Sequence, residues 1–345
     1  MRIGYVPITP ALTAPGDRRR FCAYAHARGR EFELAEPGRE YDLVVVSAVG
    51  DIVSWASPRG KAVKVVYDLP DSYLALPRDL KDVVRGLGKY ALGDLSRPVL
   101  SYRRAVERMC SRADAVICTT EEQRSAVGRF SPNVHLILDI YDSAVREVKS
   151  DYTAGETLNL FWEGLPYTLP EFGLLRKPLH ELSEERPVVM HVMTDLRFGR
   201  WSRRVGTVET KDLTAKLFDR AYLYEWNELM LSRVASRCDL GIIPLDLSSP
   251  LARGKPENKL LLMWRMGLPT LASATPAYTR TMEAAGVEMT CTTRADWSQK
   301  LRAYALDEDR RRLAGERGRA YAEREFSREC VLQHWDAVFE SVGLR

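Results

Sequence analysis

The sequence predicts an α/β protein made of two Rossmann-like α/β/α domains in series. Three observations carry the prediction. Short apolar runs alternate with charged, helix-patterned segments, which is the pattern of parallel sheets flanked by helices. The chain has 345 residues, the length of two ordinary domains. The alternation lapses in the polar stretch 142–155 and then restarts. The domains are therefore drawn as 1–150 and 151–325, with a last helical segment, 326–345, expected to pack back on the first domain.

In the first half, apolar runs predict strands at 2–7, 31–35, 41–48, 62–67, 113–119 and 134–140. Between them, charged periodic segments predict helices at 17–28, 77–92, 98–112 and 121–129. The second half repeats the alternation. Strands are expected at 158–163, 188–193, 221–225, 240–244, 270–272 and 288–291, and helices at 170–182, 227–236, 256–266 and 277–284. The tail from 295 to 342 is rich in Arg and Glu and reads as helix with i,i+4 charge pairs. Two such units facing each other would form a central cleft, and ligands of open α/β sheets bind beyond the carboxyl ends of the strands.

Composition narrows the function. The chain is 45% hydrophobic and 28% charged, which is globular, and its net charge of +4 is too small to argue for nucleic acid as a partner. The six cysteines (Cys22, Cys110, Cys118, Cys238, Cys291 and Cys330) are far apart with no CxxC pair, so they read as small core residues in a reducing compartment rather than as a zinc or redox motif. The run 1–7 is too short and Pro-interrupted for a signal peptide, and no apolar stretch approaches the roughly 20 residues of a membrane span. A cytoplasmic chain with at most peripheral membrane contact is the expectation.

The most informative stretch runs from Lys255 to Pro269. Pro256 suits a first helical turn, and Gly267 suits the position just past a helix end. Lys255, Asn258 and Lys259 then crowd a helix N-terminus, which already carries partial positive charge and free N–H groups. Two lysines there are unfavourable until an anion arrives, and a diphosphate would satisfy amides and lysines together. The alternative is a solvated basic cap with Glu257 as local partner.

The run 240–244, then Asn258-Lys259, then 266–273 resembles the donor-domain signature of GT-B glycosyltransferases, as found in bacterial surface-polysaccharide (LPS and capsule) enzymes. The spacing of Lys259 to Gly267 matches. The resemblance implies that this helix N-terminus meets the pyrophosphate of a nucleotide-sugar donor. It also implies that no metal or other cofactor is needed, because helix dipoles and basic side chains neutralise the leaving diphosphate. The chain departs from the family at two places. The position of the ribose-binding glutamate is Leu262, and the earlier acid of the two-glutamate motif falls on Gly254. Retaining or inverting outcome is therefore left open.

Other candidates follow from the same resemblance. A first strand ending in Glu163-Gly164 and basic residues after a later strand, Arg197 and Arg200, resemble the donor domain; either arginine could clamp pyrophosphate with its planar fork or be a surface arginine. After the strand at 221–225, Trp226 is placed to stack on the base and Asn227 to cap a helix; core packing of Trp226 is the alternative. Glu163 and Glu257 complete the nucleoside candidates. In the first domain, Gly16-Asp17-Arg18-Arg19-Arg20-Phe21 resembles a segment of surface-polysaccharide enzymes: Gly16 allows close backbone approach to a donor phosphate, Asp17 can cap the next helix, and the arginines, opposing the dipole of the helix they open, are expected to send one or more of Arg18, Arg19 and Arg20 to donor phosphate or an anionic acceptor. Asp68 and Asp71 end a strand that faces the acceptor in the family. Asp17, Asp68 and Asp71 are the candidate general bases, with capping of the next turn the alternative for Asp71. Arg78, Lys81, Arg85 and Lys89 on one helix, with the arginines at 97, 103, 104, 108 and 112, form a basic surface that would attract anionic lipid near a lipid-linked acceptor; a solvated face is the alternative.

The leading expectation is transfer of a sugar from a nucleotide diphosphate sugar to a hydroxyl of a glycan or lipid-linked acceptor. The rivals are a nucleotide-sugar epimerase of the same fold and a non-catalytic glycosyltransferase-like binding subunit. A dinucleotide oxidoreductase is disfavoured, because no GxGxxG follows any strand.

Overall fold

The computed structural model describes residues 1–56, 63–202 and 205–344, with 200–202 and 205 as backbone only. It divides into two units. Met1–Ile140, Gly254–Pro256 and Arg328–Arg345 form the first; Tyr141–Arg253 and Glu257–Ser327 form the second.

The first unit runs β1 (Ile3–Val6), α1 (Pro15–Arg19), α2 (Phe21–Ala27), β2 (Glu33–Leu34), β3 (Leu43–Ser47), α3 (Ile52–Trp55), β4 (Lys64–Asp68), α4 (Leu80–Ala91), α5 (Tyr102–Arg112), β5 (Ala115–Cys118), α6 (Glu121–Val127) and β6 (Val134–Leu136). All six strands are parallel, in the order β2-β1-β3-β4-β5-β6. A parallel sheet must be covered on both faces, which is why β3 is apolar at every position but its last. Val44 and Val46 face a cluster with Tyr67, Val106 and Val116. Leu43 and Val45 face Phe21, Tyr24 and the C-terminal helix Arg328–Ser341, whose Trp335, Val338 and Phe339 are fully buried. Tyr24 stacks on Trp335 with ring centroids 5.4 Å apart. Burying each of these aromatic rings contributes about 1.5–3 kcal/mol, whereas the pairing of Arg28 with Glu329 and Asp336 is screened by solvent, so apolar packing holds this helix in place.

The expected helix 17–28 is two helices broken at Arg20. The carbonyl of Arg19 is taken by the amide of Ile140 at 2.8 Å, and the Arg20 side chain turns into the sheet. Asp17 therefore does not cap a helix. Arg18 and Arg19 stand in the last turn of α1, where cations suit the dipole rather than oppose it.

The second unit continues with β7 (Leu158–Glu163), a 3-10 segment Pro166–Leu175, α7 (Arg176–Glu185), β8 (Val188–Thr194), β9 (Arg197–Ser202), β10 (Val205–Glu209), α8 (Thr210–Leu217), β11 (Ala221–Glu225), α9 (Glu228–Ala235), β12 (Leu240–Ile243), α10 (Pro250–Arg253), α11 (Asn258–Arg265), β13 (Thr270–Ser273), α12 (Pro276–Ala285), β14 (Thr290–Cys291), α13 (Arg294–Leu306) and α14 (Glu308–Glu325); the C-terminal helix is α15. Its parallel sheet has the order β11-β8-β7-β12-β13-β14. Leaving out the hairpin, that is the Rossmann order 3-2-1-4-5-6, whose winding reverses between β7 and β12. The helix expected at 170–182 begins as 3-10 turns around Pro170 and becomes α-helical only from Arg176. The antiparallel hairpin β9–β10 has no counterpart in the sequence reading. Helix α11 ends as its spacing predicts: Gly267 takes φ +72°, with Gly267 N–H on the Trp264 carbonyl and Leu268 N–H on that of Met263.

One histidine makes stability depend on pH. His191 in β8 is held between the Tyr224 hydroxyl at Nδ1 and Asn159 Oδ1 at Nε2, both 3.0 Å. The amide oxygen only accepts, so Nε2 carries the proton and Nδ1 accepts from the tyrosine. Burial lowers the imidazole's pKa from its ordinary value, with Asp239 opposing. The unfolded chain therefore binds the extra proton first, and this stability, present above about pH 6.5, is lost as pH falls through that value. Thermal melts should show the gap between wild type and His191→Gln shrinking from pH 7.5 to 5.5. A constant gap would mean that the ring is not held neutral.

Candidate functional site

In the second unit, the carboxyl ends of β7 and β12 flank the winding reversal, where α/β sheets bind ligands. Strand β7 ends at Glu163, and the Gly164 amide bonds to the Met193 carbonyl at 3.2 Å. Strand β12 leads through Pro244 to Leu245, whose amide and carbonyl both bond the Ser273 hydroxyl, at 2.8 and 3.0 Å. That clamp sets the course of the chain toward α10 and α11. Glu257 is the N-cap residue of α11 and accepts from the Thr281 hydroxyl at 3.2 Å.

Lys259, in the first turn of α11, reaches across to the end of β7. Its ammonium donates to the Glu163 carbonyl at 3.0 Å and lies 5.0 Å from the Trp162 ring centroid. Gly164 makes room for it: a Cβ there would overlap the ammonium and the Trp162 ring. A cation and the N–H groups of a helix start thus stand at the switch point of a Rossmann sheet, an arrangement suited to a phosphate. Carboxylates stand close by. Burial first, then Glu257, Glu163 and Glu171 raise the Tyr278 phenol far above its ordinary value, so the hydroxyl stays protonated. Thr194, at the end of β8, is fully buried, and its hydroxyl has no hydrogen-bond partner among the described residues.

Lys255 belongs to the first unit rather than to the start of α11. It bonds Asp71 at 3.1 Å, both side chains being about 40% exposed. Asn258 opens α11. Arg197 is on the hairpin, paired with Glu209 at 2.6 Å, rather than in a loop. Arg200 lies in β9 with its side chain outside the described residues. Asn227 caps α9, its Oδ1 accepting from the Leu229 amide at 2.8 Å, and half-buried Trp226 bonds through its amide to the Thr194 carbonyl. Leu262 is fully buried in the core.

In the first unit the three candidate bases separate by environment. Asp17 is fully buried and accepts from the Tyr5 hydroxyl, the Ile8 and Thr9 amides and the Thr9 hydroxyl, all within 3.1 Å. It ties down the β1–α1 loop. Gly16 serves the same loop, since a Cβ there would strike Ile8. Asp68 is 4% exposed and gripped by Arg20, which also bonds Asp139 and the Ile137 carbonyl. Burial raises the Asp68 carboxyl and Arg20 pulls it back. Neither carboxylate can meet a substrate hydroxyl as the chain stands. Asp71 alone is open to solvent. Its backbone is anchored by Gln123, whose amide donates to the Asp71 carbonyl at 3.0 Å, and Thr119 holds the Pro70 carbonyl at 2.8 Å. Gln123 and Thr119 escaped the sequence reading because neither belongs to a motif.

Among the described residues no group of three His, Cys, Asp or Glu is arranged to hold a metal ion. No helix among them is long and apolar enough to cross a membrane.

By sequence, no family model and no curated protein matches the chain. By structure, many solved proteins do. Anabaena HepE in complex with UDP-glucose aligns with a TM-score of 0.61 at 14% identity, over 99% of this chain and 99% of that one. WaaG, a glycosyltransferase involved in lipopolysaccharide biosynthesis, aligns at 0.55 and 13% identity over 99% and 100%. S. aureus TarM aligns at 0.59 and 11% identity over 86% of this chain, which spans only about half of TarM (55%). The fold is GT-B. At such identities the likeness is one of fold, and the GT-B scaffold leaves the chemistry to be argued from the site.

Proposed function

We propose that this GT-B chain transfers a sugar from a nucleoside diphosphate sugar to a hydroxyl acceptor in the synthesis of a surface polysaccharide or glycoconjugate. The observation that carries the reading is Lys259 at the β7–β12 switch point, its ammonium brought by Gly164 to the end of β7. The leaving diphosphate would be met there by Lys259, with Asn258 in the same first turn of α11, electrostatics aimed at charge that develops as the bond breaks. Glu163, Glu257, Trp226 and Asn227 line the nucleoside end of this reading, and Arg18, Arg197, Arg200 and Lys255 are its secondary phosphate candidates. HepE, similar over the full length, is a protein whose structure holds UDP-glucose, which supports a nucleoside diphosphate sugar as co-substrate.

Asp71 is the proposed base, because it alone of the three acids is accessible. Its carboxylate is paired with Lys255, and separation of the pair would be needed before it accepts the acceptor's proton. The acceptor is taken as a glycan or a lipid-linked glycan. No step of this reading calls for a metal.

One observation favours a second reading, a non-catalytic binding module. Leu262 occupies the position of a ribose-binding acid and is packed in the core, where no small shift could replace it. A thermal-shift screen with UDP, GDP, TDP, ADP and CMP separates the readings. At 100 times its dissociation constant, a ligand stabilises by about 2.7 kcal/mol, several degrees of melting temperature. A shift with one nucleoside diphosphate, followed by release of that diphosphate when a donor sugar and acceptor are supplied, supports transfer. A shift without release, or no shift with any of the five, overturns transfer and favours the binding module.

A further inference from the structure

A groove of about 630 Å³ opens in the second unit between α7 and α8, at the amino ends of β8 and β11. Pockets for small molecules span about 300–1,000 Å³, so it is of a size for one of them. Strand β8 runs from Val188 at the groove to Thr194, seven residues and roughly 20 Å. The groove is therefore distinct from the donor site proposed at the carboxyl ends of the strands. Its floor is apolar: Leu179 of α7, Met190 of β8 and Phe218 after α8 supply it, each less than a tenth exposed. Its rim is basic. Arg176 and Lys177 open α7, Lys216 stands in the last turn of α8, and Arg220 directly precedes β11. Against these four cations the lining holds one acid, Asp219, a surplus of three positive charges. Lys177 pairs with Glu181 on its own helix at 3.6 Å. Arg176, Lys216 and Arg220 are exposed and form no ion pair with any described residue. Lys216 suits the carboxyl end of its helix, but Arg176 and Lys177 oppose the dipole at the start of α7, whose first turn has no acid.

The chemistry of the lining identifies the ligand. A surplus of three positive charges around one recess calls for more than a single negative charge. A phosphate monoester carries about −1.5 to −2 at neutral pH on three acceptor oxygens. The planar forks of Arg176 and Arg220 match such a group bidentately, and the Lys216 ammonium meets it as a point charge. A carboxylate would bring less charge and fewer acceptors. The apolar floor adds the second requirement, a body that gains by leaving water. A compact ring with an apolar face fulfils it, and inorganic phosphate does not. We propose that this groove binds a phosphate monoester carried on a compact ring, the phosphate at the basic rim and the ring over Met190 and Phe218.

The test is a ligand-observed NMR titration of the full chain with phenyl phosphate, inorganic phosphate and phenol. Phenyl phosphate should bind about tenfold tighter than inorganic phosphate, which leaves the floor wet, and about tenfold tighter than phenol, which leaves the cations unmet. Lys216→Ala with Arg220→Ala should weaken phenyl phosphate about tenfold or more, because charge-assisted bonds are lost. Ala215→Trp should block the groove, since Ala215 lines it from an exposed position of α8. These side chains are exposed, so the nucleotide thermal shift should not change in either variant. Nor should the nucleoside diphosphate that gives the shift displace phenyl phosphate, which separates failure of this groove from failure of the donor reading. Displacement by that diphosphate, or loss of phenyl phosphate binding in Lys259→Ala, would place the ester in the donor site and overturn the proposal. So would equal affinity of wild type and both groove variants, equal affinity for phenyl and inorganic phosphate, or no binding of phenyl phosphate.

Discussion

Lys259→Ala is expected to weaken nucleoside diphosphate binding about 10- to 100-fold and to reduce transfer by at least as much. The ammonium stands at the winding reversal, where a phosphate would exchange a carbonyl contact for a charge-assisted bond worth about 1.5–3 kcal/mol. It would gain more as negative charge grows on the leaving diphosphate, so kcat should fall beyond the loss in binding. Gly164→Ala should give a milder form of the same defect without removing charge, since the added Cβ displaces the ammonium from the end of β7. Lys259→Arg keeps the charge but brings a wide planar fork into a place shaped for a compact ammonium over Trp162, so it should rescue only partly. Calorimetric titration with the diphosphate found by thermal shift, alongside single-turnover transfer, reads both quantities. An unchanged dissociation constant in Lys259→Ala would move the phosphate site elsewhere.

Arg20→Met should cost about 3–5 kcal/mol of stability, a large share of the roughly 5–15 kcal/mol that holds a domain together. Arg20 is 1% exposed and bonds two carboxylates, Asp68 and Asp139, as well as the Ile137 carbonyl. The intact cluster is not itself a large gain, because three charges were taken from water. Removing the one cation leaves Asp68 buried and uncompensated, and that is the expensive state. The sign of the pH dependence follows. Burial alone raises the Asp68 carboxyl above its unfolded value, so the variant's loss is full at neutral pH and shrinks as acid protonates the group. Urea unfolding at pH 7.5 and 5 measures both the loss and its change. A loss below about 1 kcal/mol would show that water reaches Asp68 in place of the guanidinium.

What was legible in the sequence was local. The strand Leu158–Glu163, the helix Glu228–Ala235 behind Asn227 and the turn at Gly267 each follow from a few adjacent residues, because capping, proline placement and left-handed glycine act within one turn of chain. The Lys259-to-Gly267 spacing was legible for the same reason, and with it the helix start that carries the proposed phosphate site. The hairpin β9–β10 was not legible, since the Arg-rich stretch from Arg197 shows none of the alternation of a half-buried strand.

Which residues face what was decided only in three dimensions. Asp17, Asp68 and Asp71 are alike as sequence. Asp17 is consumed by amides of a loop eight and nine residues earlier, Asp68 by an arginine 48 residues away, and Asp71 is left accessible. The same holds for α4. Its cation spacing reads as an outward basic face, but the buried bonds of Asp82 to Ser101 and Arg103 turn the apolar side to solvent. Periodicity along a chain establishes that a helix has two faces. Which face is buried depends on the desolvation of groups distant in sequence, and that balance exists only once the tertiary contacts have formed.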